Sequence, residues 1–341
     1  MEKHRPTLIS VVLPAYNESE GLPIVISSIF GALANTGLAH EILIVDDGST
    51  DGTREAMLDI CSRQPNLHYI RLSRNFGKEA ALTAGLKMAA GDAVILMDAD
   101  GQHPPALIPV FLGRWREGYE IVAGVQNARS ESWLKRRFRS LYYQCMEAGS
   151  SVVIPPNAGD FRLLDRKVVD AINALPERNR LMKGLYAWVG FRTELVPFEA
   201  GSRVAGQTKF TWKKLFRLAF TGLTSFTDIP LRFVSVAGLF ISCSSLLYGF
   251  YLLFEHYVLG DHLPGWATLS VGMMFLSGVQ LLALGVIAEY LGRTFEEVKQ
   301  RPIFIIAEDS RQRASTHAAS PVYDATPLVT AARLPKTPAI R

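Results

Sequence analysis

The sequence predicts an α/β domain on a mixed, mostly parallel sheet, followed by interfacial amphipathic helices and two transmembrane helices. Three observations predict it. Apolar runs of strand length stop abruptly in polar, turn-forming residues at VVLPAYNESEGL (11–22), EILIVDDGSTDGT (41–53) and ILMDADGQHPP (95–105). Helix-compatible segments follow the first two, roughly Leu22 to Leu33 and Thr53 to Arg63, and that alternation implies βαβ units. Near the C-terminus, Phe233 to Phe254 and Leu263 to Ala288 carry no charged residue. At about 1.5 Å per residue each is long enough to cross a hydrocarbon core of about 30 Å.

In a parallel sheet, ligands bind beyond the carboxyl ends of the strands. Tyr16, Asn17 and Glu18, then Asp46 and Asp47, then Asp98 and Asp100 would lie along that one edge. After the third strand, Asp98, Asp100 and Gln102 alternate along the chain. In an extended segment residues two apart point to the same side, so three oxygen-bearing side chains can converge. Hard oxygen ligands on a short loop suit Mg²⁺ or Mn²⁺ with positions left for phosphate oxygens. The same residues also suit a polar turn that caps the next helix. Asp46 is expected to shape its turn.

The chain has 341 residues, 48% of them hydrophobic and 20% charged, which is apolar enough to prompt a search for membrane spans. Its net charge of +4 is modest, so the placement of charge matters more than the sum. Cys61, Cys145 and Cys243 are widely spaced and form neither a disulfide framework nor a zinc signature. The N-terminus lacks an apolar core of signal-peptide type, so no cleaved signal peptide is expected. The loop EHYVLGDH between the two spans has acids but no Lys or Arg. Lys213, Lys214, Arg217 and Arg232 precede the first span, and Arg293, Lys299 and Arg301 follow the second. The positive-inside rule then puts both flanks, and the N-terminal domain, in the cytoplasm.

Between domain and spans, Trp212, Leu215, Phe216, Ala219, Phe220 and Leu223 recur at helical spacing, opposite Lys213, Lys214 and Arg217. This suits an interfacial amphipathic helix, although a core helix would carry the same stripe. A second basic element spans Ala128 to Met146, with Lys135, Arg136, Arg137 and Arg139 around an apolar stripe. It reads either as a solvated face or as a phosphate grip, since guanidinium matches phosphate oxygens in a two-pronged geometry.

Six motifs occur in order: PAYNE, VDDGSTDGT, LSRNFGKEAAL, DADGQHPP, AGDFRLLDRKV and RVAGQTKF. Together they resemble the GT-A-type inverting glycosyltransferases of family 2, and within them the polyisoprenyl-phosphate glycosyltransferases. That group includes dolichol-phosphate mannose synthases, bactoprenol glucosyltransferases and undecaprenyl-phosphate aminoarabinose transferases. The resemblance runs from about Ser10 to Ile306. It implies a GT-A (Rossmann-like) domain over residues 1–209, an interfacial segment at 210–232 and a two-helix transmembrane region at 233–290. A cytoplasmic return segment would follow at 291–310. Residues 311–341, rich in Ala, Thr, Pro and Arg without periodicity, read as a disordered tail.

The resemblance also implies roles. Pro14, Tyr16, Glu18, Asp47, Lys78, Asp98 and Lys209 would bind the donor, with Asp47 accepting from the base N–H. Asp98, Asp100 and Gln102 would hold the metal, and Asp100 and Asp160 would be the catalytic carboxylates. Asp160 would act as base or as an orienting group for the acceptor; a helix N-cap or a salt bridge to Arg162 is the structural alternative. Arg129, Arg139 and Arg203 would hold the acceptor phosphate. Implied partners are a UDP-hexose, a polyprenyl phosphate lipid, the membrane and further copies of the chain in a tetramer; no nucleic acid is expected. No QxxRW-like signature of processive members is present, so transfer of a single sugar is expected. The expected activity is transfer of glucose from UDP-glucose to undecaprenyl phosphate with inversion, at the bacterial inner membrane with the catalytic domain cytoplasmic. GDP-mannose or a modified UDP-sugar is the enzymatic alternative. A catalytically silent membrane scaffold supporting a flippase is the alternative of another class.

Overall fold

The computed structural model describes residues 8–126, 158–178, 180–199, 201, 229–254 and 265–311. Its first half alternates as the sequence predicts: β1 (Leu8–Ala15), α1 (Leu22–Ala34), β2 (Ala39–Asp46), α2 (Thr53–Arg63), β3 (Leu67–Leu72), α3 (Lys78–Met88) and β4 (Ala93–Leu96). A helix α4 (Ile108–Arg116) leads to β5 (Ile121–Gln126). After it come β6 (Ala158–Asp165), α5 (Arg166–Ala174), α6 (Met182–Trp188) and β7 (Thr193–Phe198). The described strands form one sheet in the order β7-β5-β6-β4-β1-β2-β3-β8, where β8 is Ile306–Asp309. β1 pairs in parallel with β2 and β4, β2 with β3, and β5 with β7; β6 runs antiparallel to both its neighbours. The sheet is thus mixed and mostly parallel.

Strand alternation sends apolar side chains into two layers. Ile9, Val11 and Leu13 of β1 face Leu22, Ile26 and Ile29 of α1. Val12 faces the other way, among Leu82 and Leu86 of α3 and Val168 of α5. Burial on both faces explains why β4 is a continuous apolar run, with Ala93 to Leu96 all inaccessible. One glycine is required by that packing: a Cβ on Gly85 would lie 2.2 Å from Val12 Cγ1, so α3 can seat on β1 only without one.

Two helices follow, α7 (Ile229–Phe254) and α8 (Trp266–Val298). Both are long and apolar enough to cross a membrane over Phe233–Tyr251 and Gly272–Val298, and neither stretch is buried. Phe233, Phe240, Met274 and Leu281 are all at least 70% exposed, which excludes a pair of core helices in this chain. The second helix continues past the expected end at 288–290 to Val298, because Glu289, Arg293, Glu296 and Lys299 pair along its own surface.

The expected return segment contains a strand. β8 adds antiparallel to β3, with Arg71 opposite Glu308. Arg54 clamps Glu308 through Nε and a terminal nitrogen at 2.9 and 3.2 Å, and the Tyr69 N–H donates to Ser310 Oγ at 2.9 Å. At four residues β8 is too short to announce itself by alternation. The expected interfacial segment at 210–232 lies outside the described residues up to 228.

Candidate active site

The carboxyl ends of β1, β2 and β4 open into a cavity of about 930 Å³. The turns that shape it are held by side chains bonded to backbone. Asn17 adopts φ 56°, a left-handed conformation that asparagine tolerates. From there its N–H donates to Ser49 Oγ, and its Oδ1 accepts from the Thr50 N–H, both at 2.9 Å, joining the loops after β1 and β2. Asp46, fully buried, accepts from the Ser49 N–H at 2.8 Å and from the Tyr69 hydroxyl at 2.5 Å. It shapes its turn as expected.

Asp47 lines the cavity, yet both its oxygens already accept from the loop before α3: from the N–H of Phe76 at 2.7 Å and of Gly77 at 2.8 Å. Burial raises its carboxyl above the ordinary value, and those two donors oppose the rise. Gly77 sits at φ +100°, with nothing within 4 Å of where a Cβ would stand. Its glycine is therefore required by backbone conformation rather than by crowding. That turn delivers Lys78 to the cavity.

Lys78 is the hub. Its Nζ lies 2.6 Å from Asp98 Oδ1 and 2.7 Å from Asp160 Oδ2. Burial works against the ammonium, but the carboxylates of Asp160 and Asp98 outweigh it and raise its pKa. Burial likewise works against the Asp160 carboxylate, and Lys78 and then Lys183 overcome it, so its pKa is lowered. The structural alternatives for Asp160 do not hold. It lies within β6, and the N-cap of α5 is Asp165, which accepts from the Lys167 N–H at 3.0 Å. Its ion pair is to Lys78. Arg162 instead stacks over the Tyr186 ring at 3.8 Å and donates to the Gly159 carbonyl.

The Asp98 N–H donates to His103 Nδ1 at 2.9 Å, leaving the imidazole Nε2 3.9 Å from Asp98 Oδ2. Burial lowers the His103 pKa despite Asp98 nearby. Asp100 closes a turn by accepting from the Gln102 N–H at 3.1 Å. Asp98 and Asp100 both line the cavity. Gln102 is not on its wall, and the Gln102 carbonyl accepts from the Gly201 N–H at 3.1 Å.

The structure therefore brings Pro14, Tyr16, Glu18, Asp47 and Lys78 onto one wall system with Asp98, Asp100 and Asp160. Lys209, Arg129, Arg139 and Arg203 lie outside the described residues. Sequence reasoning missed Glu79 and Lys183, which also line the cavity. Burial, and then Asp160, push the Glu79 carboxyl up to about 7. The Met182 N–H donates to it at 3.0 Å, which ties α3 to the start of α6. The only signal in the sequence was its place beside Lys78.

The fit to a divalent cation rests on charge. Three carboxylates, Asp98, Asp100 and Asp160, share the cavity, and Asp160 Oδ1 is inaccessible with no hydrogen-bond partner. The donors are all hard oxygens, as Mg²⁺ or Mn²⁺ requires. Among the described residues no three His, Cys, Asp or Glu side chains form a ligand group by themselves.

The chain matches the glycosyl transferase family 2 profile over residues 10–173. A glycosyltransferase of Synechocystis sp. is 44% identical over 301 residues, covering 88% of this chain and 95% of that protein. The SfII prophage-derived bactoprenol glucosyl transferase of Shigella flexneri is 40% identical over 304 residues, covering 89% and 98%. Among solved structures, glucosyl-3-phosphoglycerate synthase from Mycobacterium tuberculosis, in complex with Mn²⁺, UDP-glucose and phosphoglyceric acid, is 22% identical. That match covers 64% of this chain and 78% of that one, with a TM-score of 0.42. With relatives this similar along nearly its whole length, the bactoprenol glucosyl transferases among them, the chain belongs to glycosyl transferase family 2.

Proposed function

We propose that this glycosyltransferase moves one glucose from UDP-glucose to undecaprenyl phosphate with inversion, giving a β-linked lipid phosphosugar. The observation that carries the reading is the meeting of Asp98, Asp100, Asp160 and Lys78 in one cavity beyond the strand ends. The relatives named bactoprenol glucosyl transferase support the acceptor and the sugar. An acceptor phosphate oxygen forms a bond to C1 of glucose from the face opposite the nucleotide. The bond from C1 to the β-phosphate breaks, and its electron pair leaves with UDP. Asp98 and Asp100, both on the cavity wall, would hold Mg²⁺ or Mn²⁺, which when bound supplies Lewis-acid neutralisation of the departing diphosphate; Gln102, off that wall, is left out of the ligand set.

Lys78 keeps Asp160 anionic and makes it a poor proton acceptor. A phosphate monoester, with a second pKa of about 6, is largely ionised already and has little proton to give. Both facts favour an orienting and electrostatic role for Asp160 over a general base. Pro14, Tyr16, Glu18 and Asp47 would form the nucleoside rim, with Lys209 at the donor phosphates. Arg129, Arg139 and Arg203 would hold the acceptor phosphate. The two apolar helices and the Lys/Arg distribution support a bacterial inner-membrane enzyme with its catalytic domain in the cytoplasm.

The test is to incubate membranes holding the protein with labelled UDP- and GDP-sugars and undecaprenyl phosphate, then identify the labelled lipid. Glucosylated lipid from UDP-glucose is expected. Label from GDP-mannose or another UDP-sugar would overturn the donor assignment. No transfer and no donor hydrolysis with any sugar would favour a silent scaffold.

A further inference from the structure

Beside the donor cavity lies a second one, of about 890 Å³, which the proposed chemistry does not use. One wall is the loop and first turn of α3, from Arg74 to Ala80; the other is the end of α8 with the segment Arg301–Ile303. The two cavities share Gly77, Lys78 and Glu79. Six basic and three acidic side chains line the second, and most are already engaged. Glu289 pairs with Arg293 at 3.2 Å, Glu296 with Lys299 at 2.9 Å, and Lys78 with Asp98 and Asp160.

Four guanidiniums remain: Arg74, Arg178, Arg180 and Arg301. Among the described residues none of the four is held in an ion pair with a carboxylate. Arg178 donates to the Arg301 carbonyl, which holds two of them together. Arg180 is only 8% exposed. Its Nε donates to the Glu177 carbonyl at 3.0 Å and one terminal nitrogen to the Leu175 carbonyl at 2.7 Å. The other terminal nitrogen is buried with no partner. An unmet buried donor on a charged group is costly, and such groups commonly have a ligand or ion to complete them. Planar guanidiniums match phosphate oxygens better than any other side chain.

The cleft lies at the foot of α8, whose Leu281, Leu284, Ile287 and Leu291 are exposed apolar residues. A lipid lying along that surface would bring its headgroup to the four arginines. We propose that the cleft between α3 and the end of α8 binds the phosphate headgroup of a membrane lipid through Arg74, Arg178, Arg180 and Arg301. This rests on the membrane reading of α8. The phosphate belongs either to the polyprenyl acceptor, waiting one wall away from the donor, or to a bulk anionic phospholipid.

The test uses the full-length protein in detergent, with thermal shift and native mass spectrometry as readouts. The probes are phosphatidylglycerol, undecaprenyl phosphate, phosphatidylcholine as the zwitterionic control, and separately UDP-glucose. Wild type should retain and be stabilised by the anionic lipids. The pair Arg74→Gln and Arg301→Gln, both on exposed residues, should weaken that binding roughly tenfold or more, since charge-assisted bonds are lost. The UDP-glucose shift should survive. Arg180→Gln should do the same; if it fails to fold, the exposed pair still decides. A raised KM for undecaprenyl phosphate in the exposed pair would assign the site to the acceptor. An unchanged KM with lost phosphatidylglycerol binding would assign it to bulk lipid. Unaltered lipid binding in the exposed pair, or equal loss of lipid and UDP-glucose binding, would overturn the proposal. Lipid binding without any sugar transfer would overturn the proposed function and leave this site standing.

Discussion

Replacing Lys78 with Met removes the ammonium while keeping most of the side chain's volume, and the consequence can be worked from the geometry. Each contact, at 2.6 and 2.7 Å, is worth about 6 kcal/mol of gross attraction at an effective dielectric of about 20. Most of that is offset by desolvation, and breaking a buried pair typically costs about 3–5 kcal/mol. Lys78 keeps 43% of its side chain exposed, so solvent screening reduces the figure to about 2–3 kcal/mol. With a domain of this size that lowers Tm by roughly 5–10 °C at pH 8. The measurement is thermal unfolding of purified protein in chelator, so that no divalent cation replaces the lysine.

The pH dependence carries the diagnosis. In the wild type the Asp160 pKa is lowered on folding, so its contribution is present above about pH 4 and lost as pH falls through the folded value. The raised Lys78 pKa contributes fully below about pH 10 and fades only above that, outside a scan from pH 4 to 8. In Lys78→Met the largest charge opposing burial at Asp160 is gone and only Lys183 and Arg162 remain, so burial is expected to raise the Asp160 pKa above its unfolded value. From pH 8 down to about pH 4 the variant gains stability, while the Asp160 contribution in the wild type stays level. The gap between them should be widest at pH 8 and close toward about pH 4. A gap that stays constant across this range would mean that Lys78 only packs there, and would refute the charge argument.

Four further outcomes follow from the site and the core. Asp100→Asn should leave expression and UDP-glucose binding in chelator intact and cut turnover by roughly 10²-fold or more, without recovery on added Mn²⁺ or Mg²⁺; recovery would remove Asp100 from the metal site. Asp160→Asn should retain some transfer with UDP-glucose binding intact; near-complete loss of transfer with donor binding intact would make it an obligatory base. Glu79 carries a raised pKa of about 7, so its penalty is absent below about pH 4.5 and grows as pH rises through 7. Glu79→Gln keeps an acceptor for the Met182 N–H and should raise Tm at pH 8 but not at pH 4.5, as thermal melts would show. Gly85→Ala forces a Cβ to 2.2 Å from Val12 Cγ1 and should cost about 1–3 kcal/mol, read as a lower Tm with unchanged donor affinity.

What the sequence determined by itself was local or periodic. The apolar runs ending in PAYNE, VDDGS and DADGQ placed β1, β2 and the β4 edge, and the two uncharged stretches placed α7 and α8. These are legible because a strand's pleat, a helix's turn and a span's length are written in neighbouring residues. Only the tertiary structure decided which strand ends meet. β6 lies antiparallel beside β4, and that placement sets Asp160 opposite Asp98 with Lys78 between them. The raised Glu79 carboxyl, the cleft at the foot of α8 and the return of β8 to the sheet edge arise the same way. Charge pairing, burial and strand order act through space between segments far apart in the chain, and no local pattern of residues encodes that distance.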